Sequence, residues 1–482
     1  MSATLIEQQP LSNPGTFDIV LPVGQEIIYT VSNSAIVSGF TGVKFVAEVF
    51  VSGNTPTNPN FTTDLVGTFK TTPNNAGVGM FDFRPIIESF VNADNLAREG
   101  SSYKTVLNTA NRNVPMHLID KYSGSTNTIR YFQVKFSVEY IDALGNLVSS
   151  DEIIAGLTLL FNGYLKHSNE LIISPNYIDF GFDFYKNFLL DGVTKRFLTN
   201  APNIQYANIE DYGTVGLYMG NAYTVNNQDG HVGIELNYYD SDGNALGSEQ
   251  VDHIAVNGGY KYPPLDSGVE TFILFFGCFP ANLQGWSTLF NGLVTAGTIQ
   301  GGYYTIHARG DVGISPTSEL ITINLNCPNT KGFEPIRLTW LNQWGAWDYY
   351  TFTMKSSKMI STKGSTYQQL EGSWNEGFYK LDSFKGGKKS FRVNATEKVT
   401  MNTDFVTESE SEWFEDLINS PEVYILEGFK TELINPIQAL NKYVTPVRLT
   451  TSSYTKKTVA NDRLIQYTFE VEKSKTLRTQ AV

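Results

Sequence analysis

Apolar and polar residues alternate along most of the chain in strand-length runs, the period-two pattern of strands with one face in a core and one in water. Lys44–Val51, Tyr131–Tyr140, Val232–Tyr239 and Tyr303–Ala308 are the clearest runs, with Gly, Asn, Asp and Pro between them at short intervals. Ile153–Phe161 and Phe272–Phe279 are more continuously apolar, yet strand-sized and too short to span a bilayer. Helical periodicity is sparse. Phe83–Leu96 predicts one short helix with Pro85 in its first turn, where a missing N–H costs little. Glu408–Asn419 predicts the clearest one. Thr407 or Ser409 can cap it, acidic residues crowd its first turn, and Trp413, Phe414, Leu417 and Ile418 share a face.

One segment recurs. Tyr140-Ile-Asp142-Ala-Leu-Gly145-Asn146 and Tyr238-Tyr-Asp240-Ser-Asp-Gly243-Asn244 align without gaps at an offset of 98 residues. Each follows an alternating strand and predicts a β-hairpin, in which Asp caps its own turn and Gly-Asn accepts positive φ. The offset is about the length of a sandwich domain. The prediction is therefore two related sandwiches, residues 1–155 and 156–328, with convergence on a good hairpin as the plainer account of the match. After Cys327-Pro328-Asn329 aromatics and lysines become denser. Strands are expected over Ile336–Tyr350, Ser390–Val393, Val423–Glu427, Pro446–Leu449 and Leu464–Val471, with the helix laid on them. Residues 329–482 thus read as a third domain, a β-sandwich or barrel-like unit that docks and oligomerises, ending in a loose tail over Lys473–Val482.

Length and composition agree with this division. The chain has 482 residues, enough for roughly three domains. Only 17% are charged while 13% are aromatic, which suits pleated surfaces and places the fold in the mainly β class. A net charge of −13 argues against nucleic acid as a main partner, since phosphate binding needs a basic face. The most basic stretch, Lys385, Lys388, Lys389 and Arg392, reads as a solvated turn. Two cysteines, Cys278 and Cys327, form no disulfide framework, and Cys278 reads as a core thiol. The start, Met1–Pro10, shows no secretion signal.

No catalytic or cofactor motif emerges. His117, His167, His231, His253 and His307 are scattered at spacings unlike those of metal ligands. Asp240, Asp242 and Asn244 resemble the start of a calcium loop, but position twelve is Val251 rather than a bidentate acid, which favours a plain turn. Gly386-Gly-Lys-Lys-Ser390 lacks both the spacing of a phosphate loop and the helix that makes such a loop an anion site. A non-enzymatic protein without cofactor or metal is expected, a host-polysaccharide hydrolase being the least favoured alternative.

The densest unusual feature is the run from Trp340 through Trp344, Trp347, Tyr349 and Tyr350 to Phe352. It predicts a hairpin turning at Gln343–Gly345. Its rings, with Trp374, are candidates for a protein interface or a sugar-stacking platform, against the plainer reading that they fill the C-terminal core.

Arg337-Leu-Thr-Trp-Leu-Asn-Gln-Trp-Gly-Ala-Trp-Asp-Tyr-Tyr-Thr-Phe352 resembles a pattern in structural proteins of tailed bacteriophages and prophages of Bacteroidota and of marine bacteria. Gly387–Phe391, Asn402–Asp404 leading into Glu410–Ile418 and Ser420–Tyr424, and Tyr454 to Leu464–Phe469 fit the same pattern. Val78–Ile87 resembles the strand-to-helix junction of their N-terminal domains. The resemblance covers the last third well and the first two thirds loosely, and it carries no catalytic residues. It implies a virion setting, made in the host cytoplasm and released by lysis. The strand, helix, strand order of residues 330–482 is similar, at fold level, to tail-tube and distal-tail proteins that assemble into rings. The expected function is a tail or tail-tip component (distal tail, baseplate or fibre adaptor), partnered by its own copies and other virion proteins. A receptor- or glycan-binding adhesin and a capsid decoration or collar protein are the alternatives.

Overall fold

A computed structural model describes residues 5–9, 19–52, 59–97, 114–166, 172–174, 177–179, 189–190, 193–194, 196–219, 233–252, 272–309, 318–325, 332–373, 377–382, 384–427, 443–453, 455, 465–475 and 477–478. The fold is mainly β: of the described residues 49% are in strands and 13% are helical. The chain forms two compact units: one comprises residues 1–328 with Leu341–Asp348, and the other takes the remaining described residues from 332 onward.

The first unit holds two sandwiches. In the first, a sheet of order β1 (Leu5–Gln9), β3 (Ile28–Ser32), β6 (Val78–Asp82) accompanies a larger one. The larger has the order β2 (Ile19–Pro22), β11 (Thr158–Phe161), β8 (Ile129–Ile141), β4 (Thr41–Val51), β5 (Leu65–Thr71), with short β9 (Leu147–Ser149) and β10 (Ile153–Ile154) also on β8. Alternate residues of β8 are buried, and Phe132 and Phe136 meet Tyr29 of β3 between the sheets. The second sandwich has a sheet of order β16 (Ile204–Ala207), β22 (Ile321–Leu325), β21 (Tyr303–Arg309), β18 (Gly233–Tyr239), β19 (Ala245–Asp252). Its companion sheet is β17 (Thr214–Met219), β20 (Phe272–Gly277), β7 (Tyr122–Gly124). The Tyr122 hydroxyl links them, donating to the Val251 carbonyl and accepting from the Ile234 N–H at 3.0 Å. Short pairs β12 (Ile172–Ser174) with β13 (Tyr177–Asp179) and β14 (Leu189–Leu190) with β15 (Val193–Thr194) lie between them in sequence.

The sheets do not part at residue 155. β7 precedes β8 yet belongs to the second sandwich, while β11 lies beyond 155 and completes the first. The cause is local. Asp94 is fully buried and accepts from the N–H groups of Thr126, Asn127 and Thr128 at 2.9, 2.8 and 3.2 Å, and from the Thr126 and Thr128 hydroxyls at 3.0 and 2.6 Å. So many donors make burial of a carboxylate tolerable and fix the short link between β7 and β8. The expected Phe83–Leu96 helix also ends early. That segment is helical only over Arg84–Ile87, with a 3-10 turn over Glu88–Phe90 and extended backbone from Val91. A helix over Thr288–Ala296 was not foreseen, although Ser287 caps it through the Phe290 N–H and Gly297 ends it at φ +73°.

The recurring segment is the same turn twice. The Asp142 carboxylate accepts from the N–H groups of Leu144 and Asn146 at 2.9 and 2.8 Å, and Asp240 does so from Asp242 and Asn244 at 2.9 and 2.8 Å. Gly145 and Gly243 sit at φ +84° and +85°, and the turns join β8 to β9 and β18 to β19. These bonds hold both carboxyls below the usual aspartate range, Asn146 contributing most at one and Asn244 at the other.

In the second unit one sheet runs β24 (Trp347–Phe352), β23 (Ile336–Leu341), β29 (Val423–Leu426), β30 (Val444–Leu449), β31 (Thr468–Lys473), β28 (Gly387–Asn402), β25 (Ser357–Gln369). Among the described residues the layer over it is a helix, Glu408–Asn419, rather than a second sheet. Thr407 caps that helix through a full capping box: its hydroxyl accepts from Glu410 N–H at 3.3 Å, while the Glu410 carboxylate accepts from Thr407 N–H at 2.7 Å. Trp413, Phe414 and Leu417 point inward, and Phe414 lies within 6.3 Å of the rings of Trp340, Phe352 and Phe469. The expected loose tail adds a strand instead, since β32 (Leu477–Arg478) pairs with Asn394 and Ala395 of β28. A small pair, β26 (Gly372–Ser373) with β27 (Lys380–Leu381), lies between β25 and β28 in sequence. No helix among the described residues is long and apolar enough to cross a membrane.

Candidate interaction surface

The tryptophan hairpin was the leading candidate surface, and its rings point inward. Trp340, Trp344, Trp347 and Tyr349 are buried and Tyr350 is half-buried, so the three indoles present no face on which a sugar could stack. Trp374 lies outside the described residues. The turn, Leu341–Asp348, is built into the first unit by polar contacts. Trp347 Nε1 donates to the Asp94 carbonyl at 3.0 Å, with the His117 ring edge-on at 4.8 Å. Trp344 Nε1 donates to Asn200 Oδ1 at 3.0 Å, Asn342 Nδ2 donates to the Leu198 carbonyl at 2.8 Å, and the Thr199 hydroxyl donates to Asp348 at 2.6 Å. Gly345 sits at φ +75°, where a Cβ would lie 2.6 Å from Thr128 Cγ2 and 2.7 Å from the Asn162 carbonyl. In the second unit Trp340 meets Trp413 at 5.0 Å and Tyr350 meets Phe414 at 4.9 Å. These rings serve cores.

Other candidate chemistry is equally structural. His307 is buried 3.7 Å from Glu235, and burial lowers its pKa against the pull of that carboxylate. His167, His231, His253 and Cys327 lie outside the described residues. Cys278 is buried, and its carbonyl accepts from the Tyr304 hydroxyl at 2.8 Å. The Asp240 carboxylate is occupied by its own turn, and no cluster of three metal-ligating side chains exists among the described residues.

What the structure does expose is an arm. β25 is an edge strand without one buried side chain, and its only described partner is β28. β31 and β32 flank β28 only at Asn394–Ala395 and Lys398–Asn402. From Gly364 to Gln369 the structure is therefore a two-stranded ribbon, about 20 Å long at strand rise, with β26 and β27 beyond it. Cross-strand pairs share a face, so the register places Lys363, Arg392, Tyr367 and Lys389 together. At the far end Phe378 is 96% exposed, Phe384 78%, and Leu370 and Leu381 72% each. A two-stranded ribbon is marginal alone in water, and apolar side chains this exposed mark contact surfaces.

Sequence reasoning passed over these residues, taking Lys385–Arg392 as a solvated turn. The available signal was lysine interleaved with Phe378, Tyr379, Phe384 and Phe391 around the positive-φ pair Gly386-Gly387. The helix Glu408–Asn419 offers an opposite surface, with Glu408 and Glu412 exposed one turn apart behind exposed Phe405. No protein-family model matches the chain and no curated protein matches it.

Proposed function

We propose that this chain is a non-catalytic structural subunit of a tailed-bacteriophage particle, incorporated into the tail or tail tip through protein–protein contacts. The observation that carries the reading is the arm: a β-ribbon without a core of its own, ending in exposed aromatic and aliphatic side chains. The chain's low charge and aromatic richness fit extensive interfaces, and the resemblance of residues 337–352 and the later segments supports the tailed-phage setting. Mass spectrometry of purified particles from a phage or induced prophage encoding the chain should find it in stoichiometric amounts, and labelling should localise it to the tail. Its absence from particles would sink the proposal, while a position on the capsid would favour a decoration or collar role.

A receptor-binding reading has one observation in its favour, now moved from the tryptophan hairpin to the arm's end, where Phe378 and Tyr379 are exposed. Glycan-array binding that disappears on Phe378→Ala and Tyr379→Ala would support it, and a blank array would remove it.

A further inference from the structure

The charge along the chain is segregated in a way that bears on what the arm touches. Residues 357–396 carry seven Lys and Arg against three Asp and Glu, a net of +4. The rest of the chain carries 28 against 45, a net of −17. The sharpest contrast follows the arm directly: residues 401–427 hold eight acidic residues and no Lys or Arg.

Among the described residues of one copy no ion pair joins these two surfaces. Lys358 at the arm's base pairs with Glu334 at 3.0 Å, and Lys385 near its end pairs with Asp382 at 3.4 Å. Lys363, Lys388, Lys389 and Arg392 make no ion pair among the described residues, and neither do Glu408 and Glu412. The two faces also match in extent. The basic face from Lys363 to the Tyr367–Lys389 pair spans about 13 Å of strand. Glu408, Glu412 and Glu415, at i, i+4 and i+7, span about 10 Å of helix.

We infer that the β25–β28 arm of one copy docks on the exposed acidic face of the Glu408–Asn419 helix of a second copy. This deepens the assembly reading above and rests on it. Lys363, Lys389 and Arg392 would face Glu408 and Glu412, and the apolar end of the arm would cover surface such as Phe405, which is 53% exposed. Because donor and acceptor patches differ, the contact either closes reciprocally about a two-fold, each arm on the other copy's helix, or runs head-to-tail into a ring or filament. The edge of β25 that has no partner among the described residues is available for further backbone pairing.

The test is charge exchange in the full-length protein, read by sedimentation velocity at low and high salt. Lys363→Glu/Lys389→Glu/Arg392→Glu should weaken self-association by roughly tenfold or more, as should Glu408→Lys/Glu412→Lys, because each sets like charges together. An equimolar mixture of the two variants should recover association, since one supplies an acidic arm and the other a basic helix. All substituted side chains are exposed or half-buried, and circular dichroism confirms that the variants remain folded. Association that survives both variants, or a mixture that does not recover, overturns the inference. So does a wild-type chain that stays monomeric at roughly 100 μM. Presence in particles is a separate measurement, so the inference can fail while the virion reading stands.

Discussion

Two hairpins of the second half use similar residues to opposite ends. β23–β24 and β25–β28 are adjacent in sequence, and both contain aromatics, a positive-φ glycine and flanking strands. In the first, every described indole is buried: Trp347 is 2% exposed on Asp94 and His117, and Trp340 lies against Trp413. In the second, Phe378 and Phe384 stand in solvent. Aromatic density therefore does not identify an interface. What separates the hairpins is the polar scaffold around the first turn, where Asp348 accepts from Asn342 and Thr199 and Asn200 accepts from the Trp344 indole. The arm has lysines in that place.

The largest expected effect breaks the buried hairpin. Trp347→Ala removes a buried indole and its bond to the Asp94 carbonyl, and should cost about 3–5 kcal/mol in denaturant unfolding of the transition that reports the first unit. The glycines sharpen the contrast. Gly345→Ala forces positive φ on a side chain whose Cβ has no room, a cost of about 2 kcal/mol or more. Gly364→Ala, in the arm, meets only the Arg392 carbonyl at 3.3 Å and Val393 at 3.5 Å and should stay within about 0.5 kcal/mol of wild type. Equal costs at the two positions would mean that the arm is as constrained as the hairpin, contrary to its exposure.

Phe378→Ala inverts the pattern set by Trp347. Its ring is almost wholly in solvent, so stability should change by less than about 0.5 kcal/mol. Self-association, measured by sedimentation, should fall if the ring seats on a second copy. A substitution silent in unfolding and visible only in assembly is the signature of a contact surface, and one silent in both assays would leave the ring without a role there.

Local chemistry was legible in the sequence and long-range packing was not. The twin turns at Asp142 and Asp240 were readable because each is closed by bonds within five residues. So was the capped helix Glu408–Asn419, whose signals lie in its first turn. The break at residue 155 was not, because β7 and β20 pair across about 150 residues and Asp94 acts on a link more than 30 residues away. Which way the tryptophans face was equally hidden, since period-two alternation predicts opposite faces but not what covers each. The arm was the hardest to read, for a ribbon exposed on both faces lacks the alternation by which strands are recognised.

The smallest effect concerns the root of the arm, where it joins the sheet. Lys398 of β28 bonds to Glu470 of β31 at 2.8 Å and the Thr450 hydroxyl donates to the same carboxylate at 2.8 Å. The Lys398 bond first, then that of Thr450, holds the Glu470 carboxyl below its ordinary value of 4.5. A carboxyl depressed on folding binds its proton more weakly in the native state. Its contribution is therefore complete above the ordinary value and disappears as the pH falls through the lowered one. The group is a third exposed, so solvent screening keeps the contribution small, and Glu470→Gln should cost less than about 0.5 kcal/mol at neutral pH. The difference from wild type should vanish in acid below the lowered value. Were it to persist unchanged there, the effect of Gln would be one of packing at the sheet, and the arm would be anchored by its backbone pairing with β31 and β32 and by the Lys473–Glu397 pair at 3.1 Å rather than by Glu470.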